Sequence, residues 1–166
     1  MTKPRTWTVL ELINWSKAHL EEKGFDNARL EVELLLSHAL NLPRVELYVQ
    51  FERQMKSNEL AAFKALYKRR LDGEPVQYIT GSAAFMLGEF EVGPAVLIPR
   101  PETEALTEVA LRLLEAVPDA PVVADIGTGS GVIAVTIAMK VPAATVYATD
   151  VSQAALEVAA RNAERA

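Results

Sequence analysis

The chain has 166 residues, half of them hydrophobic, so it can bury the core of one medium domain or two small ones. It has no cysteine, which excludes disulfides and favours a reducing cytoplasm, and its two histidines are too few and too far apart for a zinc site. The net charge of the chain is −5, and residues 81–166 alone carry −6, with 11 acidic residues against 5 basic ones, which argues against direct DNA binding there.

Residues 1–73 are predicted to form a small bundle of four helices. Thr8 and Glu11 have the spacing of a capping box at the start of the first helix, and Gly24 is placed to end it. The last helix is expected to stop near Asp72. The residues predicted to cap or open the four helices in turn are Thr8, Asp26, Pro43 and Ser57. None of the apolar stretches is long enough for a membrane span.

Residues 74–100 break this helical pattern, because they are rich in Gly, Pro, Phe and Val. The alternation near residues 89–98 predicts two short strands around a turn at Gly93-Pro94. We therefore expect a β-hairpin linker between two domains. Pro101 then opens a helix, with acidic residues in its first turn, that runs to about Ala116.

Residues 101–166 are predicted to form an incomplete α/β domain. A short buried strand at residues 122–126 is followed by an apolar helix from Val132 to Met139. A second strand runs to Asp150, and Ser152 is placed to cap a last helix. This β-α-β-α order is the opening half of a doubly wound parallel sheet, so the fold class is a two-domain α+β protein.

A glycine loop, Asp125-Ile-Gly-Thr-Gly-Ser-Gly131, lies between the first of these strands and the helix after it. Glycines allow a sharp turn and a close approach of a ligand to the backbone. Asp150 ends the next strand, where a carboxylate can accept two hydrogen bonds from a ribose diol. Loop and acid together predict a pocket for an adenosine-type ligand. The simpler alternative is that the glycines only shape a turn between a strand and a helix.

The spacing of the glycines bears on which ligand binds. Dinucleotide sites prefer G-x-G-x-x-G, whereas this loop reads G-x-G-x-G. Asp125, two residues before the first glycine, would repel a pyrophosphate but would attract the cationic methionine end of S-adenosylmethionine. These features favour S-adenosyl-L-methionine over NAD as the cofactor.

Four segments resemble the HemK/PrmC family of class I methyltransferases, which methylate the glutamine of the Gly-Gly-Gln motif in peptide chain release factors. The resemblance covers the whole chain, and Pro-Arg-Pro-Glu-Thr-Glu is more specific than the glycine loop. The segments are Gly73-Glu-Pro-Val-Gln-Tyr-Ile-Thr-Gly81; Phe85, Phe90 and Val92; Val96-Leu-Ile-Pro-Arg-Pro-Glu-Thr-Glu104; and Asp125-Ile-Gly-Thr-Gly-Ser-Gly-Val-Ile-Ala134.

The resemblance implies a Rossmann-like domain and a set of cofactor-binding residues. It makes Asp150 the acid that binds the ribose, and it places Arg100, Pro101 and Thr103 near the cofactor. An ion pair of Arg100 with Glu102 or Glu104 is the structural alternative. The residues of the implied cofactor loop are Gly127, Thr128, Gly129, Ser130 and Gly131.

The family's catalytic Asn-Pro-Pro-Tyr element is absent from this sequence, so no catalytic residue is assigned. We expect the front part of a longer enzyme, inactive alone, cytoplasmic and monomeric, with release factors as partners and no membrane or metal. Two alternatives stay open. One is an adenine or cytosine amino-methyltransferase of the same superclass, and the other is a non-catalytic helical docking module.

Two surface features of the helical domain have two interpretations each. A basic patch of Lys64, Lys68, Arg69 and Arg70 is either a partner-binding surface or, as we favour, a solvated helix end. Trp7 and Trp15 are eight residues apart, near two helical turns, and core packing is favoured over a binding face.

Overall fold

A computed structural model describes residues 6–86, 88–117 and 119–166. The chain forms two compact units, Met1–Thr80 and Gly81–Ala166. This division places residues 74–80 in the first unit and the remainder of the predicted linker, residues 81–100, in the second. Helices followed by a hairpin and then an α/β region confirm the predicted order of the fold.

The first unit consists of helices connected by short turns. Its elements are α1 (Val9–Glu22), α2 (Ala28–Leu40), α3 (Arg44–Val49), α4 (Ser57–Leu71) and α5 (Val76–Thr80). The predicted capping box of α1 is confirmed. The backbone N–H of Thr8 donates to the Glu11 carboxylate at 2.9 Å, and the N–H of Glu11 donates to the Thr8 hydroxyl at 3.2 Å. The first turn of α1 therefore has two of its free N–H groups satisfied.

Two predicted caps of the first unit are wrong. Helix α2 begins at buried Ala28, so its N-cap residue is Asn27 and not Asp26, and among the described residues no side-chain hydrogen bond caps it. Ser57 lies inside α4, whose N-cap is Lys56. The Glu59 carboxylate accepts the N–H of Lys56 at 2.9 Å, so this helix start needs no serine hydroxyl.

The core of the first unit lies between α1, α2 and α4. Phe63 and Tyr67 of α4 are buried, and the Tyr67 hydroxyl donates to the Ser16 carbonyl at 3.0 Å. The prediction that Trp15 packs in the core is wrong, since 48% of it is exposed and its ring meets that of Trp7 edge to face. The fully buried side chains of α1 and α2 include Val9, Ile13, Leu20, Val32, Leu35 and Leu36.

Two of the four residues in the predicted basic patch pair with neighbouring acids. Arg69 pairs with Glu74 at 2.6 Å, and Arg70 pairs with Glu31 at 2.8 Å. The Arg70 guanidinium also lies 4.2 Å from the centre of the Phe25 ring. Both arginines therefore have partners within the unit, which favours a structural role over binding.

In its described residues, the second unit combines a hairpin, a parallel strand pair and three helices. Its elements are β1 (Ser82–Phe85), β2 (Gly88–Glu91), α6 (Pro101–Glu115), β3 (Val122–Ile126), α7 (Val132–Lys140), β4 (Thr145–Thr149) and α8 (Gln153–Arg165). Pro101 opens α6 as predicted. Ser152 caps α8 as predicted, since its hydroxyl accepts the N–H of Ala155 at 3.3 Å.

The chain turns at Gly93-Pro94 as predicted, with the Val96 N–H donating to the Gly93 carbonyl at 3.1 Å, but within the described part of the chain no strands pair around that turn, and the hairpin reverses between Phe85 and Gly88. Phe85 and Phe90 meet edge to face and pack on Val132 and Val135 of α7. A Cβ atom at Gly88 would come within 3.0 Å of the Phe90 ring. The packing of the two phenylalanines therefore fixes where the hairpin turns, although Gly-Pro is the stronger local turn signal.

The strands β3 and β4 are parallel and in register from Val122 opposite Thr145 to Ile126 opposite Thr149. Their carboxyl ends therefore meet at one edge, where parallel sheets bind ligands. One face of the pair is open, since Val122 and Ile126 are largely exposed. None of the described helices is both long and apolar enough to cross a membrane.

Candidate functional site

The glycine loop turns tightly at the carboxyl edge of the parallel strands. The backbone N–H groups of Gly127 and Thr128 both donate to the carbonyl of Thr149, at 2.8 and 2.9 Å. The N–H of Gly131 donates to the Thr128 carbonyl at 2.8 Å. The end of β4 and the loop's own backbone therefore hold the loop in place before α7 begins.

The three glycines of the loop all have positive φ, at +81° for Gly127, +55° for Gly129 and +81° for Gly131. An L-residue with a Cβ rarely adopts this conformation. Gly127 and Gly129 have open space where a Cβ atom would stand, whereas at Gly131 it would lie 3.0 Å from the Cβ of Ala159. The first two glycines leave room for a ligand, and the third allows α8 to pack closely.

Asp150 is joined directly to this loop. Its Oδ2 accepts the N–H of Gly129 at 2.9 Å, and its Oδ1 accepts the N–H of Ser152 at 2.9 Å. These backbone N–H groups, that of Ser152 first, lower the pKa of the Asp150 carboxyl below its ordinary value. Each carboxylate oxygen can accept a second hydrogen bond, so Asp150 stays available to a diol.

Asp125 and the two hydroxyl residues of the loop are buried. The Thr128 hydroxyl donates to Oδ2 of Asp125 at 2.7 Å, so it shapes the loop from within. Within the described residues, Oδ1 of Asp125 accepts no hydrogen bond. Asp125 therefore keeps an acceptor for a cationic group. The Ser130 carbonyl accepts a hydrogen bond from the Asn162 amide at 2.8 Å.

Arg100 and Thr103 lie at the start of α6, where the Thr103 N–H donates to the Arg100 carbonyl at 2.9 Å. Over the part of the chain that the structure describes, no hydrogen bond or ion pair joins either residue to the glycine loop. The alternative ion pair does not form in those residues, where no salt bridge joins the Arg100 side chain to Glu102 or Glu104, although the Glu104 N–H donates to the Arg100 carbonyl at 3.4 Å. The Glu104 carboxylate instead accepts the N–H of Met86 in the hairpin.

The structure adds Asn162 of α8 to the surroundings of the loop. It is 4% exposed and binds both the loop and the backbone of Glu91 in β2. Its spacing from Ala155, Val158 and Ala159 places it on the apolar face of α8. A polar residue on an otherwise apolar helix face is visible in the sequence, but it was not used to predict this part of the site.

The site as a whole fits an adenosine-type cofactor with a cationic end. Open space at Gly127 and Gly129 would admit the ligand, and Asp150 would hold a ribose diol. Asp125 supplies a nearby buried negative charge. The described residues contain no cluster of three or more acidic or histidine side chains arranged to hold a metal ion.

Two family models match the two halves of the chain. The PrmC N-terminal domain matches residues 11–81, and ribosomal protein L11 methyltransferase (PrmA) matches residues 103–166. The first match falls on the helical unit, and the second covers the glycine loop and Asp150.

Curated relatives match along almost the whole chain. The release factor glutamine methyltransferases of Geobacter sulfurreducens and Chlorobaculum tepidum are each 48% identical, over 98% and 99% of this chain and 56% and 57% of their own lengths. That of Rhodopirellula baltica is 40% identical over 95% of this chain and 54% of its own length. The chain thus spans about half the length of these relatives, and over that half its sequence is similar to the release factor glutamine methyltransferases of the HemK/PrmC family.

Proposed function

We propose that residues 81–166 supply the S-adenosyl-L-methionine site of a methyltransferase that methylates the Gly-Gly-Gln glutamine of peptide chain release factors. The observation that carries the proposal is the 2.9 Å hydrogen bond from the Gly129 N–H to the Asp150 carboxylate. This bond joins the glycine loop to Asp150, and these are the two sequence features predicted to bind an adenosine-type ligand. The names of the relatives supply the release factor as substrate class.

Within the proposed site, the roles divide between loop and acids. Gly127 and Gly129 admit the cofactor, and Asp150 binds its ribose. Asp125 stabilises the cationic methionine end, while Thr128 holds Asp125 in place. Of the remaining predicted site residues, Ser130 and Gly131 support the shape of the loop. The proposal assigns no role to Arg100 or Thr103.

To catalyse the reaction, the whole enzyme must position the glutamine as well as bind the cofactor. When bound, S-adenosylmethionine supplies an electrophilic methyl group. A glutamine amide nitrogen is a weak nucleophile because its lone pair is delocalised, so it must be positioned accurately. The resemblance assigns that task to an Asn-Pro-Pro-Tyr element, which residues 1–166 do not contain. This chain's part is therefore to hold the methyl donor.

The helical unit completes the proposal as the substrate-recognition domain, residues 1–73, with residues 74–100 as the segment between it and the α/β domain at 101–166. A protein substrate agrees with the excess of acidic residues in 81–166, which is unfavourable for DNA. We place the enzyme in the cytoplasm, acting as a monomer.

Donor binding tests the site. Calorimetric titration of the chain with S-adenosylmethionine should give saturable binding, and Asp150→Asn should weaken it roughly tenfold or more, since hydrogen bonds to a charged acceptor are strong. Glu108→Gln, at an exposed residue of α6, removes the same charge and should leave affinity unchanged. Because the Asp150 pKa is already low, wild-type affinity should not fall between about pH 7 and 5.

Methyl transfer tests the reaction. A fusion of this chain to the remaining segment of the Geobacter sulfurreducens relative should methylate a recombinant release factor, and Gly-Gly-Gln→Gly-Gly-Ala in that substrate should abolish labelling. Equal binding by wild type and Asp150→Asn would remove Asp150 from the site. Labelling of DNA but not of the release factor would replace the proposed substrate.

A further inference from the structure

Asn162 is a polar side chain on an otherwise apolar helix face, and it is 4% exposed. Ala155, Val158 and Ala159 share that face and are buried with it. A buried amide costs free energy unless its donors and acceptor are satisfied. The hydrogen bonds of the Asn162 amide therefore explain why a polar side chain is buried at this position.

The Asn162 amide connects three elements. Its Oδ1 accepts the N–H of Glu91 at 2.7 Å, and its Nδ2 donates to the Glu91 carbonyl at 3.0 Å. This reciprocal pair resembles the bonds that a neighbouring strand would make to β2. Nδ2 also donates to the Ser130 carbonyl at 2.8 Å. The side chain therefore anchors the glycine loop to the edge of the hairpin.

Ser130 is the point of the loop where such an anchor has most effect. Its neighbours Gly129 and Gly131 both have positive φ, and glycines restrict the backbone very little. The Ser130 carbonyl shares a peptide with the Gly131 N–H, so without Asn162 the hydrogen bond from that N–H to the Thr128 carbonyl, at 2.8 Å, would hold this peptide alone. The Gly129 N–H, which meets Asp150, is one residue away.

We propose that Asn162 is a positioning residue of the donor site, which holds the Ser130 carbonyl so that the Gly129 N–H stays aligned with Asp150. It touches neither the donor nor the reacting atoms in this assignment. The inference rests on the proposed donor site in residues 81–166 and adds a residue that acts on the site through the loop.

The side chain of Glu91 offers a matched control. Its carboxylate pairs with Arg161 and Arg165 of α8, each at 2.8 Å. Glu91→Gln weakens this second connection between hairpin and helix but keeps the backbone groups that Asn162 binds. It therefore loosens the same two elements without freeing the Ser130 carbonyl.

The experiment titrates the chain with S-adenosylmethionine and compares Asn162→Ala, Asn162→Asp and Glu91→Gln. Asn162→Asp keeps the acceptor for the Glu91 N–H but loses both donated bonds. We expect both Asn162 variants to bind the donor about tenfold more weakly, because both lose the hydrogen bond to the Ser130 carbonyl, and Glu91→Gln to stay within about twofold. In the free chain, hydrogen exchange of the Gly129 amide should accelerate in the Asn162 variants alone.

The other outcomes each overturn the assignment. If wild type binds and the Asn162 variants match Glu91→Gln in both affinity and Gly129 exchange, Asn162 is structural only, and the donor site stands. If neither Asn162 variant folds while Glu91→Gln does, the amide serves the fold as a whole. If wild type itself does not bind the donor, the proposed site fails and the assignment fails with it.

Discussion

At the residue scale, Gly131 has two separate reasons to be glycine. Its φ is +81°, and a Cβ atom would lie 3.0 Å from the Cβ and 3.1 Å from the Cα of Ala159. Gly127 has the same φ but open space around it. The two glycines therefore separate the cost of backbone strain from the cost of crowding between α7 and α8.

We predict that Gly131→Ala lowers the free energy of unfolding by about 2–4 kcal/mol, against about 1–2 kcal/mol for Gly127→Ala. The larger loss reflects α8 being pushed away in addition to the strained φ. Urea unfolding followed by circular dichroism measures both. Gly24→Ala, with φ +85° and open space in the first unit, is the strain-only control. Equal losses for Gly131→Ala and Gly127→Ala would show that α8 yields without cost.

The glycine spacing and Asp150 were readable from the sequence because both depend on local patterns at strand ends. The hydrogen bond from the Thr128 hydroxyl to Asp125 could not be predicted from the sequence, although the two residues are only three apart. A hydroxyl in a loop can point inward or outward, and only the folded loop decides. Asn162 and Glu91 are 71 residues apart, a separation that no local pattern spans.

At the element scale, Tyr67 connects α4 to α1. Its hydroxyl donates to the Ser16 carbonyl, and it lies 3.0 Å from Nδ1 of His19. Burial raises the pKa of Tyr67 to about 12, above its ordinary value of 10.0. The folded state therefore keeps the phenol proton over a pH range in which the unfolded state has lost it.

We predict that the free energy of unfolding of the first unit is insensitive to Tyr67 below pH ~10 and falls as pH rises from ~10 to ~12. The sign follows because the unfolded state binds fewer protons than the folded state in this window. The fall is at most about 1.4 kcal/mol per pH unit for one group. Urea unfolding at several alkaline pH values, with phenolate absorbance, measures it.

Tyr67→Phe is the control for this alkaline loss. It removes the titrating group and both hydroxyl contacts, so it should lower stability at neutral pH yet flatten the dependence above pH ~10. Tyr48→Phe, on a tyrosine whose hydroxyl donates to Glu33 at 2.7 Å, should keep the alkaline loss. An unchanged slope in Tyr67→Phe would assign the loss to other groups.

The sequence located most helix starts but not the hairpin. Thr8, Pro101 and Ser152 act within one turn of chain, so composition and spacing reveal them. The turn between Phe85 and Gly88 depends on two rings packing on α7, more than 40 residues later. The local signal of Gly93-Pro94 does produce a turn, but long-range packing determines which segments pair as strands.

At the scale of the whole molecule, the second unit has apolar faces without partners. On α6, Leu106, Val109 and Leu113 recur at helical spacing and are all exposed, Leu113 to 66%. On the sheet, Ile126 is 78% exposed, and Tyr147, which lies opposite Ala124 on the neighbouring strand, is 60% exposed. Exposed apolar surface of this extent is typical of an interface. The relatives are nearly twice as long as this chain, so they contain residues that could cover both faces.

We predict that the remaining segment of the Geobacter sulfurreducens relative, added as a separate polypeptide, binds this chain and raises the midpoint of its thermal unfolding. Burial of apolar side chains on α6 and β3 provides the driving force. Leu113→Glu and Ile126→Glu should each weaken binding at least roughly tenfold, because a charge would then be buried without a partner. Val49→Glu, on an equally exposed apolar residue of the first unit, should leave it unchanged. Calorimetric titration distinguishes these cases. Equal effects of Val49→Glu and Ile126→Glu would mean that the segment binds through general hydrophobicity rather than through these two faces.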